Sequence, residues 1–264
     1  MSSIAEIFKE LKKQGRAALI PFIMAGDPDL EATEELVRQM AAAGADLIEL
    51  GVPFSDPLAD GPIIQAASQR ALRQGVNLKK VVGLVRKLKG VGPPLVLLTY
   101  CNPVWQYGWE SFAGDCRECG VSGVVIPDLP VEEAGPWIRE ARKAGVDTVF
   151  LAAPTSTPER IRKIDRRSRG FIYCVSLTGV TGVREELPED LGRLIQFIRA
   201  ESSKPLAVGF GISTPAQARQ VGRLADGVIV GSAIVKIVGE TGDREEMMGR
   251  VKGFVSALGA ALRP

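Results

Sequence analysis

Short apolar segments alternate with amphipathic segments along the whole chain, and this alternation predicts most of the fold. The apolar segments are continuous runs rich in β-branched residues, which is typical of strands that are buried on both faces. Eight segments are predicted strands: 18–23, 47–50, 95–100, 123–126, 148–151, 171–175, 206–209 and 227–230.

The segments between these strands have the spacing and the end signals of helices. One helix is predicted over residues 29–43 and another over residues 131–144. A further helix is predicted to begin at Thr214 and Pro215, because proline is favoured at the first helical position. Three helices are expected to end in a left-handed glycine just before the next strand, at Gly44, Gly120 and Gly145.

Eight β–α units in 264 residues predict a closed (β/α)8 TIM barrel of the α/β class. We expect one domain over residues 1–264, with an extra amphipathic helix over residues 1–11 before the first strand. An open doubly wound sheet is the alternative. The first strand, however, lacks the Gly-x-Gly-x-x-Gly turn that is typical of the nucleotide-binding form of that fold.

Composition restricts the chemistry that the chain can perform. The chain contains no histidine, which excludes Ser-His-Asp and Cys-His nucleophile systems and every metal site built on imidazole. Proton transfer therefore falls to Asp, Glu, Lys, Tyr or Cys. Cys116 and Cys119 form a lone Cys-x-x-Cys pair in a helical pattern, so we expect reduced thiols and no metal.

Charge and hydropathy argue against nucleic acid and membrane partners. The net charge is +2, which is too small for a nucleic-acid footprint. The basic run 160–169 places Ile161 and Ile164 three residues apart, so it is predicted to be the solvated face of an amphipathic helix. No apolar run reaches the ~18 residues of a membrane span, and the N-terminal segment lacks the apolar core of a signal peptide. We expect a cytoplasmic protein.

The most unusual segment is the loop over residues 49–62, Glu-Leu-Gly-Val-Pro-Phe-Ser-Asp-Pro-Leu-Ala-Asp-Gly-Pro. Glu49 ends a predicted buried strand, where a carboxylate is costly unless it is paired or has a task. The prolines make the loop rigid, and Asp60 supplies a second acid. Each acid alone is also compatible with a structural role, Glu49 as a surface acid at a strand end and Asp60 in a turn. Together they are the candidates for proton transfer.

A barrel carries its active site where the strands end and the following loops begin. Several polar and aromatic residues are predicted to share that edge: Phe22, Glu49, Asp60, Tyr100, Asn102, Asp128, Tyr173 and Thr181.

Two glycine-rich segments, 208–213 and 228–233, end the last two predicted strands. Glycines allow backbone N–H groups to approach an anion closely, and a helix N-terminus adds its dipole. We therefore expect a phosphorylated ligand, with the hydroxyl of Ser232 as a further donor. Tight turns would explain either segment alone. Residues 176–184, with two glycines and three hydroxyl groups, are expected to form a mobile cover over the ligand.

Four of these segments resemble one known family. Residues 49–62, 127–133, 173–182 and 209–213 are similar to signature segments of the tryptophan synthase alpha subunit family, and the resemblance extends from about the first helix to the last. It implies a carbon–carbon lyase that cleaves indole-3-glycerol phosphate to indole and D-glyceraldehyde 3-phosphate in tryptophan biosynthesis.

The resemblance also implies roles for individual residues. Glu49 would move the protons, and Asp60 would accept a hydrogen bond from the indole N–H. The phosphate would lie against Gly182, Gly211, Gly231 and Ser232. An apolar indole pocket would be lined by Phe22, Ile64, Tyr100, Val125, Tyr173, Thr181 and Phe210. No metal or cofactor is implied for this chain.

The family works with a beta subunit that carries pyridoxal phosphate, in an alpha–beta–beta–alpha complex. The segments expected near that partner contain Pro53, Asp56, Pro57, Asn102 and Trp105. Trp105 places a bulky ring where other members of the family vary. The cover over 176–184 would close over the substrate, with Thr181 meeting the loop of Asp60.

Three alternatives remain open from the sequence. The chain could be a stand-alone lyase that releases indole without a partner. It could be another phosphate-binding barrel enzyme, because a fold does not fix a function. It could also serve only to activate the beta partner, although the two acids argue against a chain without catalysis.

Overall fold

The computed structural model describes residues 3–175, 191–209 and 211–263. In these residues eight parallel strands follow one another in chain order around a closed barrel, and the last strand pairs with the first. The strands are β1 Ala18–Met24, β2 Ile48–Gly51, β3 Leu95–Leu98, β4 Val121–Val125, β5 Asp147–Ala152, β6 Ile172–Val175, β7 Leu206–Gly209 and β8 Gly227–Val230. The ring confirms the predicted TIM barrel and excludes the open doubly wound sheet.

Helices surround the barrel and connect its strands. The described helices are α1 Ser3–Lys13, α2 Leu30–Ala42, α3 Pro62–Arg73, α4 Leu78–Leu88, α5 Cys101–Tyr107, α6 Trp109–Cys119, α7 Gly135–Ala144, α8 Pro158–Arg167, α9 Leu191–Glu201, α10 Pro215–Gly222, α11 Ser232–Glu240 and α12 Arg244–Ala261. None of them combines the length and the apolar character that a membrane span requires.

The predicted helix ends are mostly confirmed. The three glycines expected to end helices have φ angles of 94°, 82° and 75°, at Gly44, Gly120 and Gly145. Thr214 caps α10 in a reciprocal capping box with Gln217. The basic run lies on α8, where Ile161 and Ile164 are buried.

Several predicted boundaries were wrong by two residues or more, and one of them is the start of β4, at Val121 where 123 was predicted. The helix predicted over 131–144 begins at Gly135, because Pro136 has no N–H to donate to residue 132 and the helix cannot continue through it. The third strand ends at Leu98, and Tyr100 already serves as the N-cap of α5.

The interior of the barrel is a packed core that α1 closes at the amino-terminal end of the strands. Ile4, Phe8 and Leu11 of α1 belong to the same buried cluster as the inward side chains of the strands. The approach is close: a Cβ on Gly123 would lie 2.9 Å from Cδ1 of Ile4. The expected extra helix is therefore present, and it forms the floor of the barrel.

A second and larger core fills the layer between the strands and the surrounding helices. Leu36 and Met40 of α2, Phe112 of α6 and Trp137 of α7 are among its buried members. Because the barrel is packed on both sides, the positions at its carboxyl end are set by strand register. Glu49 stands beside Phe22 of β1 and Val96 of β3.

Candidate active site

Glu49 is buried in β2 without compensation. Its side chain belongs to a residue that is 1% exposed, and neither carboxylate oxygen has a hydrogen-bond partner among the described residues. Burial, and secondly the negative charge of Asp60, raises the pKa of Glu49 from 4.5 to about 8. At neutral pH this carboxyl group therefore holds its proton and can give it away.

Asp60 lies in the loop 52–61, which joins β2 to α3, and contacts from two sides position it. The side-chain amide of Gln65 donates to the Asp60 carbonyl oxygen at 2.8 Å. The Tyr100 hydroxyl forms a hydrogen bond with the carboxylate of Asp60 and accepts one from the Ala59 N–H at 3.2 Å. Burial raises the pKa of Asp60 to about 6, while the bond from Tyr100 acts in the opposite direction. Asp60 is mostly ionised at neutral pH.

A cavity at the carboxyl end of the barrel adjoins Asp60. Its lining combines apolar side chains and glycines with one carboxylate and two hydroxyl groups: Phe22, Asp60, Ile64, Leu98, Tyr173, Gly209, Gly211, Ile229, Gly231 and Ser232. Tyr173 connects this cavity to the deeper acid, because the negative charges of both Glu49 and Asp60 add to burial in raising its pKa. The two acids therefore approach the same ring.

One wall of the cavity is suited to an anion. Gly231 is the N-cap of α11, and its position carries no side-chain cap, so the helix dipole and first-turn N–H groups lie beside the cavity. Ser232 opens the helix. Gly211, which also lines the cavity, takes a φ of 67°, a left-handed conformation that glycine adopts without strain. Helix N-terminus, glycines and hydroxyl meet where many barrels bind phosphate.

A family model described as tryptophan synthase alpha chain matches residues 8–262 of this chain. The chain belongs to the tryptophan synthase alpha chain family. It is a lyase of tryptophan biosynthesis, which confirms the resemblance read from the four signature segments.

Individual relatives and structures agree with this assignment. The tryptophan synthase alpha chain of Picosynechococcus sp. is 50% identical over 99% of this chain and 100% of that protein. That of Geobacter sulfurreducens is 50% identical over 99% of both. Mycobacterium tuberculosis tryptophan synthase superimposes with a TM-score of 0.93 at 38% identity, over 100% of this chain and 99% of that chain. Tryptophan synthase subunit alpha from Legionella pneumophila gives 0.92 at 38% identity, over 99% and 98%.

Most of the site residues predicted from the tryptophan synthase alpha resemblance meet at one cavity. Those that line it are Phe22, Asp60, Ile64, Tyr173, Gly211, Gly231 and Ser232. Glu49 does not line it and lies deeper, beside Phe22 in the sheet. Tyr100 contacts Asp60 instead of the cavity. Val125 is fully buried in the inner core with Val96 and Val149.

Three predicted residues, Thr181, Gly182 and Phe210, lie outside the described residues, as does the segment 176–184. Three cavity residues were absent from the prediction: Leu98, Gly209 and Ile229. Leu98 and Ile229 read as ordinary strand residues. Their position at the carboxyl ends of β3 and β8 was the available signal, since side chains there point towards the site.

The segments predicted to face the beta partner form an exposed surface beside the site. Two large apolar side chains are prominent on it, Leu58 at 91% exposed in the loop 52–61 and Trp105 at 66% exposed on α5. Asp56 and Asn102 are also exposed, whereas Pro53 is buried and Pro57 is half-buried. Pro53 is therefore part of the buried side of the loop and not of the exposed surface.

The cysteines and acids of the described chain show no metal-binding arrangement. Within residues 3–175, 191–209 and 211–263, no group of three or more Cys, Asp or Glu side chains is placed to hold a metal ion. Cys101, Cys116, Cys119 and Cys174 are free. Burial raises the pKa of Cys174 to about 12, so its thiol is a poor nucleophile at neutral pH.

Proposed function

We propose that this chain cleaves indole-3-glycerol phosphate by a retro-aldol reaction to indole and D-glyceraldehyde 3-phosphate. The observation that carries the proposal is the pair of acids at the carboxyl end of the barrel, whose pKa values are about 8 for Glu49 and about 6 for Asp60. At a pH between these two values, Glu49 is mostly neutral and Asp60 is mostly charged. Two carboxyl groups in different environments can take different roles in one reaction.

Glu49 is assigned the proton transfers. Its neutral carboxyl group gives a proton to C3 of the indole ring, which makes the bond from C3 to the glycerol chain breakable. The resulting carboxylate then takes the proton of the hydroxyl on the adjacent carbon. As the carbon–carbon bond breaks, its electron pair returns to the ring, and the former alcohol carbon becomes the aldehyde. The proton balance closes on Glu49, so no further reactant is needed.

Asp60 is assigned the stabilisation of charge. Protonation at C3 places positive charge on the indole nitrogen, and an ionised carboxylate that accepts a hydrogen bond from that N–H favours the charged state. Tyr100 and Gln65 hold Asp60 in place before substrate arrives. Preorganisation of this kind avoids rearrangement of the site during the reaction.

The rest of the cavity is assigned to binding. Phe22, Ile64 and Tyr173 offer an apolar surface to the indole ring. Gly211, Gly231 and Ser232, with the N-terminus of α11, are assigned to the phosphate. Gly182, Thr181 and Phe210 complete the proposed set. The phosphate is remote from the bond that breaks, so its binding positions the substrate against Glu49.

The partner in this proposal is a tryptophan synthase beta chain. Alpha chains of this enzyme generally act without a cofactor, and the beta chain carries pyridoxal phosphate. We place the beta chain against the exposed surface of Leu58, Asp56, Asn102 and Trp105, in an alpha–beta–beta–alpha complex. Tryptophan side chains such as that of Trp105 are frequent anchors of such interfaces.

The deciding experiment measures indole released from indole-3-glycerol phosphate by the purified chain, with and without a tryptophan synthase beta subunit. Slow release that rises sharply with the beta subunit supports the whole proposal. Fast release that the beta subunit does not change supports a stand-alone lyase. The absence of release in both conditions would contradict the assigned substrate, and a panel of other phosphorylated substrates would then be compared.

A further inference from the structure

Helix α3 begins directly after the loop 52–61 and holds that loop through a buried serine. Ser68 is 1% exposed. Its hydroxyl oxygen accepts the Phe54 N–H at 2.9 Å, and its hydroxyl proton is donated to the Phe54 carbonyl oxygen at 3.0 Å. One side chain therefore satisfies both backbone groups of a loop residue that lies 14 positions earlier in the chain.

This geometry is unusual for a serine inside a helix. Such a hydroxyl commonly bonds to the carbonyl group one turn earlier in its own helix. Both hydrogen bonds of the Ser68 hydroxyl are instead made to the backbone of Phe54 in the loop. A buried polar group that bonds so specifically fixes one arrangement of the segments that it joins.

Phe54 in turn contacts the residue that holds Asp60. The rings of Phe54 and Tyr100 are stacked, with centroids 5.2 Å apart and planes at 28°. Tyr100 is buried, and its hydroxyl bonds to the Ala59 N–H and to the Asp60 carboxylate. A continuous series of contacts therefore runs from Ser68 through Phe54 and Tyr100 to Asp60.

We propose that Ser68 is a positioning residue for Asp60, which acts by fixing Phe54 so that its ring sets the orientation of Tyr100. The inference rests on the proposed role of Asp60 in the reaction. Gln65 of the same helix holds only the backbone carbonyl of Asp60, which leaves the direction of the carboxylate free. The path through Tyr100 acts on the carboxylate itself.

Loss of the Ser68 hydroxyl has a defined electrostatic consequence. The titratable groups near Asp60 are Glu49 of β2, Tyr173 of β6 and Tyr100, whose pKa values the charge of Asp60 raises, and Asp128 also acts on Tyr100. Among these, the Tyr100 hydroxyl is the one that favours the ionised form of Asp60. When Tyr100 loses its support, Asp60 keeps its proton to higher pH.

The test compares Ser68→Ala, Tyr100→Phe and the double variant. We expect Ser68→Ala to move the acidic limb of kcat for indole release upward by about 0.5 pH unit, which lowers the ionised fraction of Asp60 up to about threefold below that limb. KM is expected to change less than twofold. In the Tyr100→Phe background, Ser68→Ala is expected to produce no further shift of the limb.

A matched control uses another buried serine with two hydrogen bonds. Ser202 donates to Asp165 at 2.5 Å and accepts the Lys204 N–H at 3.1 Å, away from the cavity. Ser202→Ala is expected to lower stability and leave the limb in place. Ser68→Thr, which keeps the hydroxyl, is expected to keep the wild-type limb. Ser68→Cys, of similar volume but with a weak donor, replaces Ser68→Ala if that variant does not fold.

Carbon-13 NMR of the Asp60 carboxyl group separates this inference from the proposed function, because its titration is read without substrate. A raised Asp60 titration in Ser68→Ala supports the positioning role even if wild type releases no indole. An unchanged limb and an unchanged titration in Ser68→Ala would overturn the inference. Equal shifts with and without the Tyr100 hydroxyl would also overturn it, because Ser68 would then not act through Tyr100.

Discussion

Replacement of Glu49 by Gln is expected to slow indole release strongly and to stabilise the folded chain at alkaline pH. Glutamine keeps the shape of the neutral carboxyl group but cannot ionise or transfer the proton. Since Glu49 is buried without a partner among the described residues, its charge destabilises the fold. Indole release should fall by at least ~100-fold.

The magnitude follows from the pKa of Glu49. The pKa of Glu49 in the folded chain, about 8, lies above the ordinary value of 4.5. The neutral carboxyl group therefore costs the fold no electrostatic stability below pH 4.5, and the free energy of unfolding decreases as the pH rises from there through 8. At about 1.36 kcal/mol for each pKa unit, the full loss is about 5 kcal/mol. The loss is about 1 kcal/mol at pH 5 and about 4 kcal/mol at pH 8. Glu49→Gln should therefore gain about 3 kcal/mol on wild type between these two conditions.

The assay is urea unfolding of both proteins at pH 5 and pH 8, followed by far-ultraviolet circular dichroism. Glu31→Gln is the matched control, because the Glu31 side chain is 89% exposed and its replacement should give nearly the same stability change at both pH values. A Glu49→Gln variant whose advantage over wild type is equal at pH 5 and pH 8 would refute the reasoning. So would a variant that is less stable than wild type at pH 8.

Four further outcomes are expected. The pH dependence of kcat/KM should be bell-shaped, rising near pH 6 as Asp60 ionises and falling near pH 8 as Glu49 loses its proton; a profile flat from pH 5 to pH 9 would contradict both assignments. Asp60→Asn should lower kcat by about 100-fold or more with KM within a few-fold of wild type, and normal turnover would remove its role in charge stabilisation. Gly211→Asp should raise KM at least ~10-fold, because it places a negative charge on the phosphate wall at a φ of 67°; an unchanged KM would argue against that wall. Arg70→Leu should lower the unfolding free energy in urea by about 2–3 kcal/mol, because it strands the buried Asp27 that Arg70 binds at 2.7 and 2.8 Å, and the further change Asp27→Asn should recover part of that loss.

The barrel was predictable because its signal is local and repeated. Each buried strand is a short apolar run, and each of Gly44, Gly120 and Gly145 ends a helix through its own backbone freedom. The predicted ends of helices and strands were wrong where a neighbouring residue determines the end. Because of Pro136, α7 begins later than predicted, and Tyr100 is the N-cap of α5 and not the last residue of β3.

The chemistry of the site was predictable where a residue type is costly in its place. An acid at the end of an apolar strand pointed to Glu49, and a rigid acidic loop pointed to Asp60. The direction of a side chain was not predictable in the same way. Tyr100 was expected to line the indole pocket, and nothing in the sequence indicated the hydrogen bond that it forms with Asp60. Ser68 gave no signal, because the loop residue that it binds is 14 positions away and nothing in the helical pattern marks the pair.

Helix α1 has a consequence for how molecules travel through this protein. Its side chains Ile4, Phe8 and Leu11 pack into the inner core, so α1 closes the amino-terminal end of the described barrel and forms its floor. A product formed above this floor is therefore expected to leave at the opposite, carboxyl-terminal end of the strands, where the cavity lies. A beta chain that receives indole directly would therefore dock at that end of the barrel, where the loop 52–61 and α5 also lie. Substrate entry and product transfer would then use the same end of the barrel, so that binding of the partner would affect both steps.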